Sequence, residues 1–196
     1  MFFNSTFKKI SKSNFLTFFL LILAFFLRFY KFDNVGFWGD EYLTFWPSKP
    51  PHTFNEVFNK STTSADLVPP FYYYILNIYN HLFDYSAYSL RLFYIIIGFL
   101  CIVLVFFISN FLLSRSATNL VLFLLGANVF LVWCSNEARV VSVAAFFQLF
   151  LILIFFKIIK EINYKTYILN ILLLITFNII ALTIHPLSIV INSLFY

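Results

Sequence analysis

Five long apolar runs, at residues 15–32, 92–113, 117–135, 140–156 and 166–184, constrain this chain more than any other feature. A helix that crosses a bilayer needs about 20 predominantly apolar residues. In hydrocarbon the backbone N–H and C=O groups must pair within their own segment, so each crossing run is an α-helix. Of the 196 residues, 62% are hydrophobic and 11% charged. No soluble domain of that size can hide so much apolar surface. The expected fold class is all-α: a polytopic transmembrane helical bundle, embedded in a lipid bilayer.

The net charge of +5 does not point to nucleic acid, because the Lys and Arg residues are scattered between apolar blocks. They read as topology signals instead. Lys8, Lys9 and Lys12 precede the first run, as in a signal peptide. No Ala-x-Ala-like cleavage site follows, so an uncleaved first transmembrane helix is expected. With the N-terminus cytoplasmic, the inner side holds Lys8, Lys9, Lys12, Arg115, Lys157, Lys160 and Lys165 against one acid, Glu161. This obeys the positive-inside rule. Every other acid then lies outside: Asp33, Asp40, Glu41, Glu56, Asp66, Asp84 and Glu137. That gathering points to an outer, extracytoplasmic face that carries the chemistry. The expected location is a bacterial plasma membrane, crossed several times.

One large outer loop, 33–90, joins the first two runs, and the other connections are short. Within it, 70–83 ("PFYYYILNIYNHLF") is apolar but short, and opens on Pro69-Pro70. If it crossed, the lysine-rich loop between 157 and 165 would lie outside. It therefore reads as a helix in the outer interface, with a short true span as the alternative. Phe54, Val57 and Phe58 fall at i, i+3 and i+4, which predicts one face of a short amphipathic helix. The final run, 187–196, is too short to cross, so the chain is expected to end inside a further helix, as the N-terminal part of a larger transmembrane domain.

"GFWGDEYLTF" at 36–45 is the most informative stretch. Asp40 and Glu41 stand among aromatics beside a helix end. Such a pair can be simply solvated. A carboxylate held at a low-dielectric boundary instead gains basicity, which suits a general base. Arg28 and Arg91 lie near outer helix ends. They either snorkel to the interface or help form a pocket for an anion such as a lipid phosphate. Glu137 and Arg139 interrupt two apolar runs at the membrane edge, where an ion pair is a functional hypothesis. The alternative is a plain turn with Asn136 as a helix cap. His185 ends the fifth run, and a lone His is more often structural. Cys101 and Cys134 form no Cys-x-x-Cys or zinc pattern. Nothing in the residue pattern calls for a cofactor or specifies a metal.

In this order, the pieces resemble the first part of an integral-membrane glycosyltransferase of the GT-C superfamily. The nearest likeness is to the branch with the protein O-mannosyltransferases and lipid A aminoarabinose transferases. The resemblance rests on Arg28 followed by "FWGDEY", "VPPFYYYILNIYNHLF", "AYSLRLFYIIIGFL", "SNEARVVSV" and "LTIHPL". Val68 stands where the family often has His before the Pro-Pro pair. Asn136 stands for the Gln of a "Q-E-A-R" motif, and the Tyr common after that motif is absent.

The resemblance implies a multi-span bundle with two juxtamembrane helices in the first outer loop. It also implies transfer of a sugar from a polyprenyl-phosphate donor to a hydroxyl of a glycan, lipid or protein acceptor, with inversion. Asp40 would be the catalytic carboxylate, with Glu41 beside it. Arg91, Arg28 and Arg139 would meet the donor phosphate. Glu137 and His185 would support the site. The competing reading is a non-enzymatic polytopic protein, transporter-like or an inactive homologue. A transporter would bury charge at mid-membrane, whereas here the charges collect at one interface.

Overall fold

The computed structural model describes residues 12–30, 32, 36–64, 68–186 and 188. Lys8, Lys9, Lys31, Asp33, Asp66 and the terminal residues 187 and 189–196 lie outside the described residues, so the expected closing helix does too. The described residues form only helices: α1 (Lys12–Phe29), α2 (Gly39–Phe45), α3 (Phe54–Thr63), α4 (Pro70–Leu82), α5 (Ala87–Leu112), α6 (Arg115–Gly126), α7 (Val129–Asn136), α8 (Val140–Lys160) and α9 (Tyr164–Ile184).

α5, α8 and α9 are long and apolar enough to cross a membrane. They pack in series, α5 on α8 and α8 on α9, while α1 lies against α5 and α6. The apolar part of α1, Asn14–Phe29, is shorter. The chain is a helical membrane bundle whose large exposed Phe, Leu and Ile side chains suit contact with lipid. α5 begins five residues before the expected run. Its start is set by Ser86, whose side chain accepts from the Ser89 N–H at 3.2 Å.

The expected third span, 117–135, is not one straight helix. α6 and α7 meet at a 56° bend. Asn128 starts α7 afresh by accepting the Leu131 N–H at 3.0 Å, a local bond that competes with helix continuation. A break in an apolar setting leaves carbonyls without their helical donors. Arg28 meets one of them, since its Nη1 donates to Gly126 O at 3.1 Å and to Ala24 O at 2.8 Å.

Small residues let the helices come close. A Cβ on Gly126 would sit 3.1 Å from Ala24 Cβ, and one on Gly98 would sit 2.6 Å from Ser135 Cβ. Thr17 Oγ1 also donates to Asn119 Oδ1 at 2.7 Å, a buried link from α1 to α6.

α2–α4 cover one end of the bundle. Val57, Tyr72, Tyr73, Leu76, Leu90, Tyr94, Ala138, Val140, Val143 and Ile184 form one core cluster there. In α3 only Val57 of the expected apolar face is buried, joined by Ser61 one turn on. Phe54 and Phe58 stay exposed, and Phe54 stacks on Tyr74 at 4.0 Å. Arg115 and Lys160 lie at the opposite end. Arg115 Nη2 donates to Asn14 Oδ1 at 2.8 Å, and Lys160 Nζ to Phe111 O at 3.2 Å.

Candidate active site

α2 begins at Gly39, so Asp40 and Glu41 sit in its first turn. Acidic residues suit that position, where free N–H groups and the helix dipole favour negative charge. Successive residues on a helix diverge by roughly 100°, so the two carboxylates cannot face the same way. Half-buried Tyr85 and buried Asn80 fix the far end of α2. Tyr85 stacks on Phe45 at 3.9 Å and donates to Phe45 O at 3.0 Å. Its burial pushes the phenol up to about 12. Asn80 Nδ2 donates to Ser48 O at 3.0 Å.

Glu41 points inward and is 1% exposed. Its Oε1 accepts from Arg91 Nε at 3.2 Å and from the Ala138 N–H at 3.0 Å. Its Oε2 accepts from Arg91 Nη2 at 2.6 Å and from the Trp38 N–H at 3.2 Å. Arg91 also donates to Phe32 O and Gly36 O, at 3.3 and 3.0 Å, and its guanidinium lies over the Phe37 ring at 5.5 Å. One carboxylate and one guanidinium thus join Phe32, residues 36–38, α2, α5 and the α7–α8 link.

Asp40 points the other way. Its Oδ2 accepts from Arg139 Nη1 at 2.9 Å, and the two side chains are 42% and 31% exposed. Glu137 lies in the same link as Arg139. Its Oε1 is buried and has no hydrogen-bond partner. Desolvation raises its carboxyl above the ordinary value of 4.5. Arg139 opposes the shift, and the negative charges of Glu41 and Asp40 add to it. Asn136 does not cap a helix, since it is the last residue of α7 and its Oδ1 has no partner.

Five of the seven residues singled out from sequence therefore meet in one cluster: Asp40, Glu41, Arg91, Glu137 and Arg139. Arg28 and His185 lie elsewhere, on a cavity of about 600 Å³ among α1, α5, α7 and α8. Arg28 does not snorkel, because it is 1% exposed and is drawn inward by the carbonyl freed at the α6–α7 break. His185 caps α9, donating its N–H to Ala181 O at 3.1 Å. Gln148 also lines this cavity. It was legible only as a single amide in the middle of an apolar run.

Among the described residues, no group of three His, Cys, Asp or Glu side chains could hold a metal ion. Chemically, the cluster offers two partly exposed carboxylates, Asp40 and Glu137, the first of them paired with the partly exposed guanidinium of Arg139, on a base made rigid by a buried ion pair. Comparison with family models, with curated proteins and with solved structures finds no match.

Proposed function

We propose that this protein is a membrane glycosyltransferase that moves a sugar from a polyprenyl-phosphate donor to an acceptor hydroxyl at the extracytoplasmic membrane face. The observation that carries this reading is the division of labour in the acidic pair. Glu41 is buried on Arg91, while Asp40 stays partly exposed against Arg139. That is the arrangement a general base needs: a carboxylate that substrate can reach, on a support that does not move.

In this reading Arg139 occupies Asp40 Oδ2 and leaves Oδ1 for the acceptor. The acceptor oxygen attacks the anomeric carbon from the face opposite the phosphate, and its proton passes to Asp40. The bond from the anomeric carbon to the phosphate oxygen breaks, and its electron pair leaves with the phosphate. Arg139, beside Asp40, holds that carboxylate in the orientation the acceptor needs. Arg91, with its charge met by Glu41, positions the site instead of binding donor. Glu137 supports the link that carries Arg139.

The test is transfer in membranes containing the full chain, from a polyprenyl-phosphate sugar to a labelled acceptor, with Asp40→Asn as the variant. Transfer by the wild type that collapses in the folded variant is the expected result. If the folded variant transfers as well as the wild type, or the wild type transfers nothing from a panel of such donors, the cluster is a structural clamp and the protein is non-enzymatic.

A further inference from the structure

We infer that the cavity lined by Arg28 and Gln148 is a binding site for a long-chain carboxylic acid drawn from the bilayer. The site is separate from the Asp40 cluster and does not depend on the transfer reaction.

The first observation is Gln148. It is the ninth residue of α8, about 12 Å along the helix from Val140 at 1.5 Å per residue. It is 7% exposed, and neither its Oε1 nor its Nε2 has a hydrogen-bond partner. A buried amide is nearly always paired, and an unpaired one is costly in an apolar setting.

The second observation is Arg28. Its Nη1 is satisfied by two carbonyls, but its Nε is buried without a partner. The two salt bridges formed by the described residues belong to Arg91 and Arg139, so no described carboxylate balances its charge. A buried guanidinium without a counter-ion calls for an anion.

The cavity between them limits what that anion can be. About 600 Å³ falls in the range of roughly 300–1,000 Å³ typical of a site for one small molecule. Its lining includes Ile102, Val105 and Leu149, so the body of the ligand is apolar. Two of the three serines on its wall, Ser135, Ser142 and Ser188, already donate to backbone. Ser135 Oγ donates to Leu131 O at 2.7 Å, and Ser142 Oγ to Cys134 O at 2.9 Å. Beyond Arg28 and Gln148 that leaves Ser188 and His185 as polar side chains of the wall, few for the several hydroxyls of a sugar head group. A compact, singly charged head matches the single guanidinium, and its planar pair of oxygens suits the Arg fork. Arg28 supplies the charge, and Gln148 supplies a second hydrogen-bonding point.

The test uses the full chain in phosphatidylcholine nanodiscs with a diazirine-bearing C16 fatty acid as the probe. Crosslinks are mapped by peptide mass spectrometry, with palmitate, methyl palmitate and a prenyl phosphate as competitors. Label should map to the α5 and α8 walls of the cavity. Palmitate should compete, and its methyl ester should be about tenfold weaker or worse, as expected from loss of a charged hydrogen bond. Ala145→Phe, which fills the cavity, and Gln148→Leu should each reduce labelling. These two variants leave the α6–α7 contact of Arg28 intact, so they report on the site even if Arg28→Gln misfolds. An ester that competes as well as the acid, a prenyl phosphate that competes better than palmitate, no label on the cavity, or labelling untouched by Ala145→Phe would each overturn the inference.

Discussion

Arg91 Nη2 lies 2.6 Å from Glu41 Oε2, and Arg91 Nε lies 3.2 Å from Glu41 Oε1. Both side chains are almost fully buried. This two-point pair holds α2 against α5, and the Ala138 N–H on Glu41 brings in the α7–α8 link. Removing one partner of a buried pair leaves an uncompensated charge, so Arg91→Met should destabilise the fold by about 3–5 kcal/mol. Adding Glu41→Leu removes the stranded charge and should recover part of that loss. Reversible unfolding in mixed micelles, run as a double-mutant cycle, measures both.

Asp40 and Arg139 form a partly exposed pair, and such pairs contribute little to stability. Asp40→Asn should change unfolding free energy by no more than about 1 kcal/mol. If Asp40 is the general base, sugar transfer should fall by about 10²–10⁴-fold. The contrast with Arg91→Met separates chemistry from folding: one variant loses activity while folded, and the other loses the fold.

Glu137 has a carboxyl raised above 4.5, chiefly by desolvation. A raised carboxyl binds its proton more tightly in the folded state. Its contribution is therefore fully present below the unfolded value and is lost as pH rises through the folded one. Glu137→Gln keeps a neutral side chain at every pH. The stability of the variant relative to wild type should rise as pH climbs from about 4 through the raised value and then level off. Melting curves across that range test the sign, and a flat difference would contradict it.

Gly98 allows α5 to approach α7. A Cβ there would lie 2.6 Å from Ser135 Cβ and 3.3 Å from its Cα, closer than real Cβ contacts allow. Gly98→Ala should cost about 1–3 kcal/mol through overpacking. Ser135→Gly in the same chain removes the nearest atoms and should return much of it. Thermal unfolding of the single and double variants compares the two.

Membrane orientation can be read with cysteines. In a background with Cys101 and Cys134 replaced, Lys49→Cys in the exposed α2–α3 link should react with an impermeant thiol reagent added outside cells. Ile162→Cys in the α8–α9 link, where Ile162 is 98% exposed, should react only after the inner face is opened. The reverse pattern would invert the proposed topology.

The sequence by itself determined that the chain is a bundle of apolar helices, because hydrocarbon leaves such runs no other way to pair their backbone. Charge spacing along the chain was enough to single out Asp40, Glu41, Arg91, Glu137 and Arg139. Three outcomes needed the tertiary structure. The divergence of Asp40 and Glu41 depends on a helix starting at Gly39, and on Arg91, fifty positions away, being there to take the inner carboxylate. The bend at Asn128 depends on Arg28, from another helix, receiving the carbonyl that the break exposes. The cavity at Gln148 is a space left where several helices fail to meet, and spacing along one helix does not record it. Each of the three is a relation between segments far apart in the chain, whereas hydropathy and charge spacing report what each segment needs from its solvent.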